Sequence, residues 1–330
     1  MSRAARAALT LYVLAPICGE LLSGSTPVTS FVNPLTFLYL SGLYGSGALL
    51  VREIARARDL GWWGVLLLGA AYGVLEEGLV VTSWFNPNWP DARSLGEYGR
   101  LFDLNWVWAT HLTLFHAVVS ITAPIVIAEA LFPDVASRPW LDVRWRRVIA
   151  IWLSLVSLAG LIGFGFLYSR DQGYAHPPAS YVIAFAVAVL LVRFALQSRS
   201  APRASPGAVP SLWRLRLFAF ALTVVAFALA WVGPAVIPLA VLTVAGLFAL
   251  ALLARSRIAE WSTRSGWHSE QRLALVSGAL AFLIALQPVV ELTHAGGRNA
   301  TGQSAVALAA ALFLAWLARR PRPAAIPAVA

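Results

Sequence analysis

Residues 105–131 read NWVWATHLTLFHAVVSITAPIVIAEAL, with no charged side chain before Glu129. As an α-helix this run is about 40 Å long at 1.5 Å per residue, enough to cross a hydrocarbon core of about 30 Å. Nine further apolar runs flank it, at 7–22, 33–51, 62–82, 148–168, 179–197, 213–231, 234–253, 272–290 and 303–318. In lipid, backbone polar groups must pair within the spanning structure, which leaves helices or closed barrels. Unbroken runs near 20 residues, rather than short alternating strands, select helices. The fold class is therefore all-α, a polytopic membrane bundle of about ten transmembrane helices.

Composition agrees. The 330 residues are 59% hydrophobic and only 12% charged, about half the charge of an ordinary soluble domain. Mean hydropathy is +0.72. The net charge of +10 comes from arginine alone, as there is no lysine. The arginines sit between apolar runs rather than on a soluble domain, so the expected partner is the lipid bilayer and not nucleic acid. With the N-terminus inside, Arg3 and Arg6, Arg52 to Arg58, Arg138 to Arg147, Arg193 to Arg216, Arg255 to Arg272, and Arg319, Arg320 and Arg322 share one side. Arg93, Arg100, Arg170 and Arg298 fall on the other. This asymmetry orients the chain N-in and C-in. The first run also has the shape of a signal peptide, but no small-x-small site closes it, and an uncleaved helix is expected. Cys18, the single cysteine, excludes an intrachain disulfide.

Polar residues are unevenly shared. The first four helices carry Glu20, Arg52, Glu53, Glu76, Glu77, His111, His116, Ser120 and Glu129, whereas helices five to eight are mostly Ala, Leu, Val and Phe. We expect residues 1–132 to hold the site, with an outer loop at 83–104; 133–198 to supply helices five and six; 199–212 to form a cytoplasmic linker; and 213–330 to be supporting helices.

The adjacent Glu76 and Glu77 are the most expensive feature, since a carboxylate at mid-bilayer costs about 3 kcal/mol even on insertion scales. Counting from the outer helix ends puts them about 8–10 Å deep, with His111 and His116 about 9 and 16 Å deep on helix four. Residues one apart point about 100° apart on a helix, so one glutamate is expected to face a cavity and the other a neighbouring helix. On the same wheel Glu76 shares a face with Tyr72 and Ser83. Gly69 and Gly73 form a GxxxG spacing that admits a close neighbour. A glutamate with a histidine in reach suits general-base activation of water. Glu76, Glu77 and His116 are thus the candidate catalytic residues, with Asn86, Asn88, Asn105, Glu20 and Ser120 as oxyanion donors or rim. Intramembrane ionisable groups are functional by default, against the plainer reading of a register-fixing network. His111, nearer the interface and about 140° away, is expected to be structural. A metal held by Glu76, Glu77 and His116 is chemically possible, but no HExxH or HxxxH signature is present, so no metal ligand is assigned, nor any cofactor. His176, His268 and His294 fall in loops and read as solvated or interfacial. Arg52 and Glu53 read as a local ion pair or interfacial anchor, with Glu129 as a partner.

A repeat accompanies the di-glutamate: Val28–Pro34 reads VTSFVNP and Val81–Pro87 reads VTSWFNP. Both stand at an outer helix end after a glutamate-bearing helix, and Asn-Pro favours a turn. They are expected to be two rims of one outer pocket, with the aromatic loop between helices three and four as its lid.

The di-glutamate with Phe115-His116 on the next helix remotely resembles the glutamate-type membrane proteases of the CAAX-processing and bacteriocin-processing family, which carry EExxxR and FxxxH helices. On that resemblance Glu76 or Glu77 is the base and His116 its partner. The pattern departs at Val80 or Val81, where arginine is expected, and at Leu112, where phenylalanine is expected, and no HxxxN follows. The segments EEG, FNPN and FHAVVSI look like an uncharacterised group of prokaryotic multi-pass membrane proteins, which implies no activity. The function expected is an integral membrane protein of a cell (inner or plasma) membrane, bacterial by its arginine-only, alanine-rich composition, and an intramembrane hydrolase acting on peptide or lipid. The alternatives are a transporter or proton-coupled permease, and a noncatalytic scaffold.

Overall fold

The computed structural model describes residues 1–199, 207–293 and 299–320. Ten apolar helices lie within them: α1 (Arg3–Leu21), α2 (Pro34–Ala57), α3 (Trp62–Val80), α4 (Trp106–Leu131), α5 (Val143–Asp171), α6 (Pro178–Gln197), α7 (Leu212–Trp231), α8 (Ala240–Ser262), α9 (Ser269–Thr293) and α10 (Gln303–Arg319). α1 to α9 are long and apolar enough to span a bilayer, and α10 is a shorter apolar helix. The protein is an all-α polytopic bundle, as its composition requires.

The helix ends are fastened to one another, and the ties sort the bundle into two poles. At the arginine-rich pole, termed inner after the charge asymmetry of the sequence, Arg3 pairs with Asp134, Arg255 and Arg272 lie over Trp63 and Trp62, and Arg320 reaches the Leu131 carbonyl. At the outer pole Gln287 donates to the Leu22 carbonyl, Asn88 to that of Gln172, and Tyr98 Oη lies 2.6 Å from Thr243 Oγ1.

α3 and α4 form the centre. Their most apolar windows are 67% and 78% enclosed by protein, against 17% or less for α5 to α8. The outward faces of α5 to α8 carry exposed Ile151, Phe185, Phe194 and Leu242, the surface expected of helices that face lipid chains.

Several boundaries move from the sequence expectation. The eighth helix starts at Ala240 rather than 234 and runs on to Ser262. Gly233 and Pro234 belong to a separate short helical turn, Gly233–Val236, between α7 and α8. The Asn-Pro repeats fold differently. Asn33 caps α2, its Oδ1 accepting from Leu35 and Thr36 with Pro34 in the first turn, whereas Asn86 makes a local turn to the Asn88 N–H. Asn33 is exposed and Asn86 is fully buried, so the two copies are not equivalent rims. Linker residues 200–206 and His294 lie outside the described residues, as do Arg298 and Arg322.

Candidate functional site

Proline and glycine shape the helices that build the site. Pro16 has no N–H for the Tyr12 carbonyl one turn earlier, and α1 widens into a π-helical turn at Ile17–Leu21 immediately after it. α2 packs on that freed carbonyl through Gly45, where a Cβ would stand 2.4 Å from the Tyr12 oxygen. In α4 the order is reversed, with Pro124 following a wide turn at His116–Thr122. Further π-helical turns occur at Ser41–Gly45 in α2 and Val74–Val80 in α3. Glu20, Tyr44, the pair Glu76 and Glu77, and His116 with Ser120 therefore all lie in π-helical turns, on four different helices. Such turns concentrate at functional sites, because one extra residue per turn re-aims side chains that a regular helix would point elsewhere. A fifth, Leu161–Tyr168 in α5, carries none of these residues.

Three glycines seat three rings. A Cβ on Gly19 would stand 2.7 Å from the Tyr44 ring, on Gly47 2.3 Å from the Tyr72 ring, and on Gly73 2.9 Å from His116 Cβ. Gly69, a turn from Gly73, faces the Ala117 backbone at 2.9 Å, so the GxxxG pair admits α4 as its spacing predicts. The rings then pack together: Tyr44 stacks on His116 at 6.0 Å between centroids with 30° between the planes, and Tyr72 lies edge-on to it at 6.1 Å.

The result is one continuous polar chain. Trp108 Nε1 donates to Ser83 Oγ at 3.1 Å, and Ser83 donates to Glu77 Oε2. Glu77 Oε1 is 3.2 Å from His116 Nε2, and Glu76 Oε2 is 3.0 Å from His116 Nδ1. Tyr44 Oη stands 2.5 Å from both Glu76 Oε1 and Glu20 Oε1, and Thr26 donates to Glu20 Oε2 at 2.6 Å. Glu76 and His116 are buried, while the Glu77 side chain retains 12% exposure.

This corrects the helical-wheel expectation. Both glutamates face one partner, because an imidazole offers a nitrogen on each edge and the wide turn at Val74–Val80 brings adjacent side chains to the same side. Ser83 joins Glu77, not Glu76. The depth offset expected between Glu76–Glu77 and His116 also closes. Residues 82–86 are buried, and the Asn105 N–H donates to the Trp84 carbonyl, so the chain climbs past the end of α3 before α4 begins.

The remaining expected site residues differ in their partners. Asn105 caps α4, accepting from the Trp108 N–H. Asn86 donates to Ser169 and Asn88 to the Gln172 carbonyl, which fastens the outer loop to the α5–α6 connection. Ser120 Oγ is fully buried beside the Gly19–Tyr44 contact without a hydrogen-bond partner. Glu20 is brought in through Tyr44, which sequence reasoning missed together with Trp108, while Tyr72, placed on the Glu76 face from the sequence, packs against His116. His111 stays apart: it packs edge-on against Phe227 at 4.8 Å and lines a separate apolar cavity of about 190 Å³ between α4, α7, α8 and α9. His176, half-buried rather than solvated, lies 2.7 Å from Thr82 Oγ1, and burial pushes its pKa down to about 4. Thr82 holds a left-handed φ of 62°, strained for a β-branched residue, at the point where α3 turns into the outer loop.

A second polar cluster lies at the inner pole. Arg52 pairs with Glu53 at 2.8 Å and lies over the Trp140 ring, and Arg56 pairs with Glu129 at 2.6 Å. Arg52 Nε is also 3.2 Å from Glu129, the partner expected from sequence. Glu53 accepts from the Trp140 and Leu141 N–H groups, so this cluster anchors the α4–α5 connection.

The profile of an uncharacterized membrane protein family matches residues 9–320, nearly the whole chain. The chain belongs to that family. Comparison with curated proteins and with solved structures returns no match. Family membership and the apolar helices together make it an integral membrane protein.

Proposed function

We propose that this protein is an intramembrane hydrolase of a bacterial plasma membrane, with Glu77 as general base, His116 as its positioning partner, and a peptide or lipid acyl bond as substrate. The observation that carries the reading is His116 held between two carboxylates, 3.0 Å from Glu76 and 3.2 Å from Glu77, in a buried chain built on π-helical turns. A register-fixing network does not need two acidic partners on one ring or a distorted turn under each member. Glu77 is the accessible member and lies one turn from the outer end of α3.

The chemistry balances with water alone. Glu77 takes a proton from water, the water oxygen bonds to the acyl carbon, the bond to the leaving group breaks, and the proton passes from Glu77 to that group. General-base assistance of this kind contributes about 10²–10⁴-fold. His116 keeps the carboxylate aimed, and Ser83, itself held by Trp108, donates to its other oxygen.

Purified protein, reconstituted with total membrane lipid and a peptide library, should release cleavage products. Glu77→Gln and His116→Ala proteins that fold normally should release about 100-fold less or none. Equal product from both variants would overturn the hydrolase reading. A second reading, a proton-coupled permease, is favoured by the length of the chain, since Glu20 and Tyr44 extend it beyond what one base requires. Proton-driven uptake lost in Glu77→Gln, without any cleavage, would support that reading instead.

A further inference from the structure

We propose that the Glu76–His116 pair binds a divalent first-row cation of the zinc or manganese class, a site that motif reading does not predict. The proposal rests on the hydrolase reading for its chemistry and on geometry and charge for the cation itself.

The charge balance differs between the two polar clusters. At the inner pole two carboxylates, Glu53 and Glu129, meet two guanidinium groups, Arg52 and Arg56. At the outer pole Glu20 and Glu76 meet at the Tyr44 hydroxyl, Glu77 stands on the other edge of His116, and the ion pairs of these three carboxylates among the described residues are with His116 alone. One proton can be counted from the bonding. Tyr44 has a single hydroxyl hydrogen yet lies in hydrogen-bond contact with Glu20 and Glu76, so one contact draws its proton from a carboxyl group. With a neutral imidazole the cluster is left with two negative charges in a low-dielectric setting, and a divalent cation brings it to zero.

The ring geometry says where the cation goes. Nε2 of His116 lies 3.2 Å from Glu77 Oε1 in hydrogen-bonding position, and since an ionised carboxylate can only accept, that contact puts the ring proton on Nε2. Nδ1 and Glu76 Oε2, 3.0 Å apart, each lack a hydrogen bond. They stand side by side rather than donor to acceptor. A cation about 2.1 Å from each atom would see them at roughly 90°, the angle of adjacent ligands in an octahedral sphere. A carboxylate on the far nitrogen of a metal-binding histidine fixes the tautomer and strengthens the ligand, which is the position Glu77 occupies.

Independent groups point the same way. Tyr72 Oη and Ser120 Oγ border the cluster, belong to residues at least nine-tenths buried, and have no hydrogen-bond partner. Water molecules on the cation would satisfy both. One ligand atom from each of Glu76, Glu77 and His116 lies within 4.8 Å of the others, so Glu77 is near enough to take a proton from such a water.

The test uses the full chain in lipid nanodiscs, stripped with chelator and titrated with Zn²⁺ and, separately, Mn²⁺ against a competing chelator, with bound metal counted by mass spectrometry. We expect one ion per wild-type chain, at least ~100-fold weaker binding in Glu76→Gln and His116→Ala, and ~10-fold weaker binding in Glu77→Gln. Glu260→Gln, at an exposed pair, should bind as wild type. Glu76→Gln is nearly isosteric, so a misfolded alanine variant would not leave the question open. No stoichiometric ion, or equal affinity in the Glu76 and His116 variants, overturns the cation site. Binding without hydrolysis would refute the hydrolase and keep the cation; Glu77-dependent hydrolysis in metal-free protein would do the reverse.

Discussion

Tyr44→Phe isolates the link between Glu20 and Glu76. The variant keeps the ring that packs on Gly19, Tyr72 and His116 and removes only the hydroxyl that stands 2.5 Å from each carboxylate. A hydrogen bond to a charged partner contributes about 1.5–3 kcal/mol net, and a buried acceptor left unpaired costs about 1–3 kcal/mol or more. Tyr44→Phe should therefore lower unfolding free energy by about 2–4 kcal/mol. Glu76→Gln disturbs the same bond from the other side, so the two changes must not add. The assay is a double-mutant cycle read by detergent-induced unfolding in mixed micelles, with Tyr44→Phe, Glu76→Gln and the pair. The expected coupling is about 1.5–3 kcal/mol. Additivity within about 0.5 kcal/mol would refute the shared bond, and with it the proton count that leaves the cluster doubly negative.

Other outcomes follow from the same contacts. Gly73→Ala sets a Cβ 2.9 Å from His116 Cβ, so α4 must shift; stability should fall by about 1–3 kcal/mol and hydrolysis should fall with it, whereas unchanged turnover would contradict the close approach. Arg52→Met leaves Glu53 and Glu129 short of one buried partner, a loss of about 3–5 kcal/mol that unfolding should show while the residual folded fraction still binds metal normally. His176 should titrate near 4 instead of its usual 6.5 because burial opposes its charge. The unfolded chain then binds the extra proton between those values, so stability should fall as pH drops from 6.5 towards 4 and level off below. An unfolding midpoint followed over that range should show a smaller fall in His176→Gln, and identical profiles would refute the assignment. Reporter fusions after residues 95 and 140 should place the first outside and the second inside; a cytoplasmic residue 95 would reverse the orientation.

The architecture is legible because apolar length and arginine placement are one-dimensional signals. Glu76, Glu77 and His116 are legible for a related reason, as ionisable side chains inside apolar runs stand out wherever they point. Their mutual geometry is not legible. A helical wheel assumes 100° per residue, and the turns at Val74–Val80 and His116–Thr122 do not obey it. Pro16 and Pro124 are the available signals for two of those turns; Ser41–Gly45 and Val74–Val80 contain no proline. Tyr44 escapes notice because a tyrosine in a membrane helix ordinarily reads as an interfacial anchor. The asparagines divide: Asn86 and Asn88 donate their amides to loop closure, whereas Asn105 caps α4 through Oδ1 and its Nδ2 has no hydrogen-bond partner among the described residues.

Hydrolysis marks its product whatever the substrate, since the oxygen of water enters one of the two fragments. Membranes from cells expressing the wild type or Glu77→Gln protein, incubated in H₂¹⁸O and surveyed by untargeted mass spectrometry of lipids and peptides, put the proposed function to its most direct trial. A Glu77 base predicts at least one species that gains ¹⁸O in the wild type and about 100-fold less in the variant. Identical ¹⁸O patterns in the two membranes, with both proteins folded and equally abundant, would contradict it.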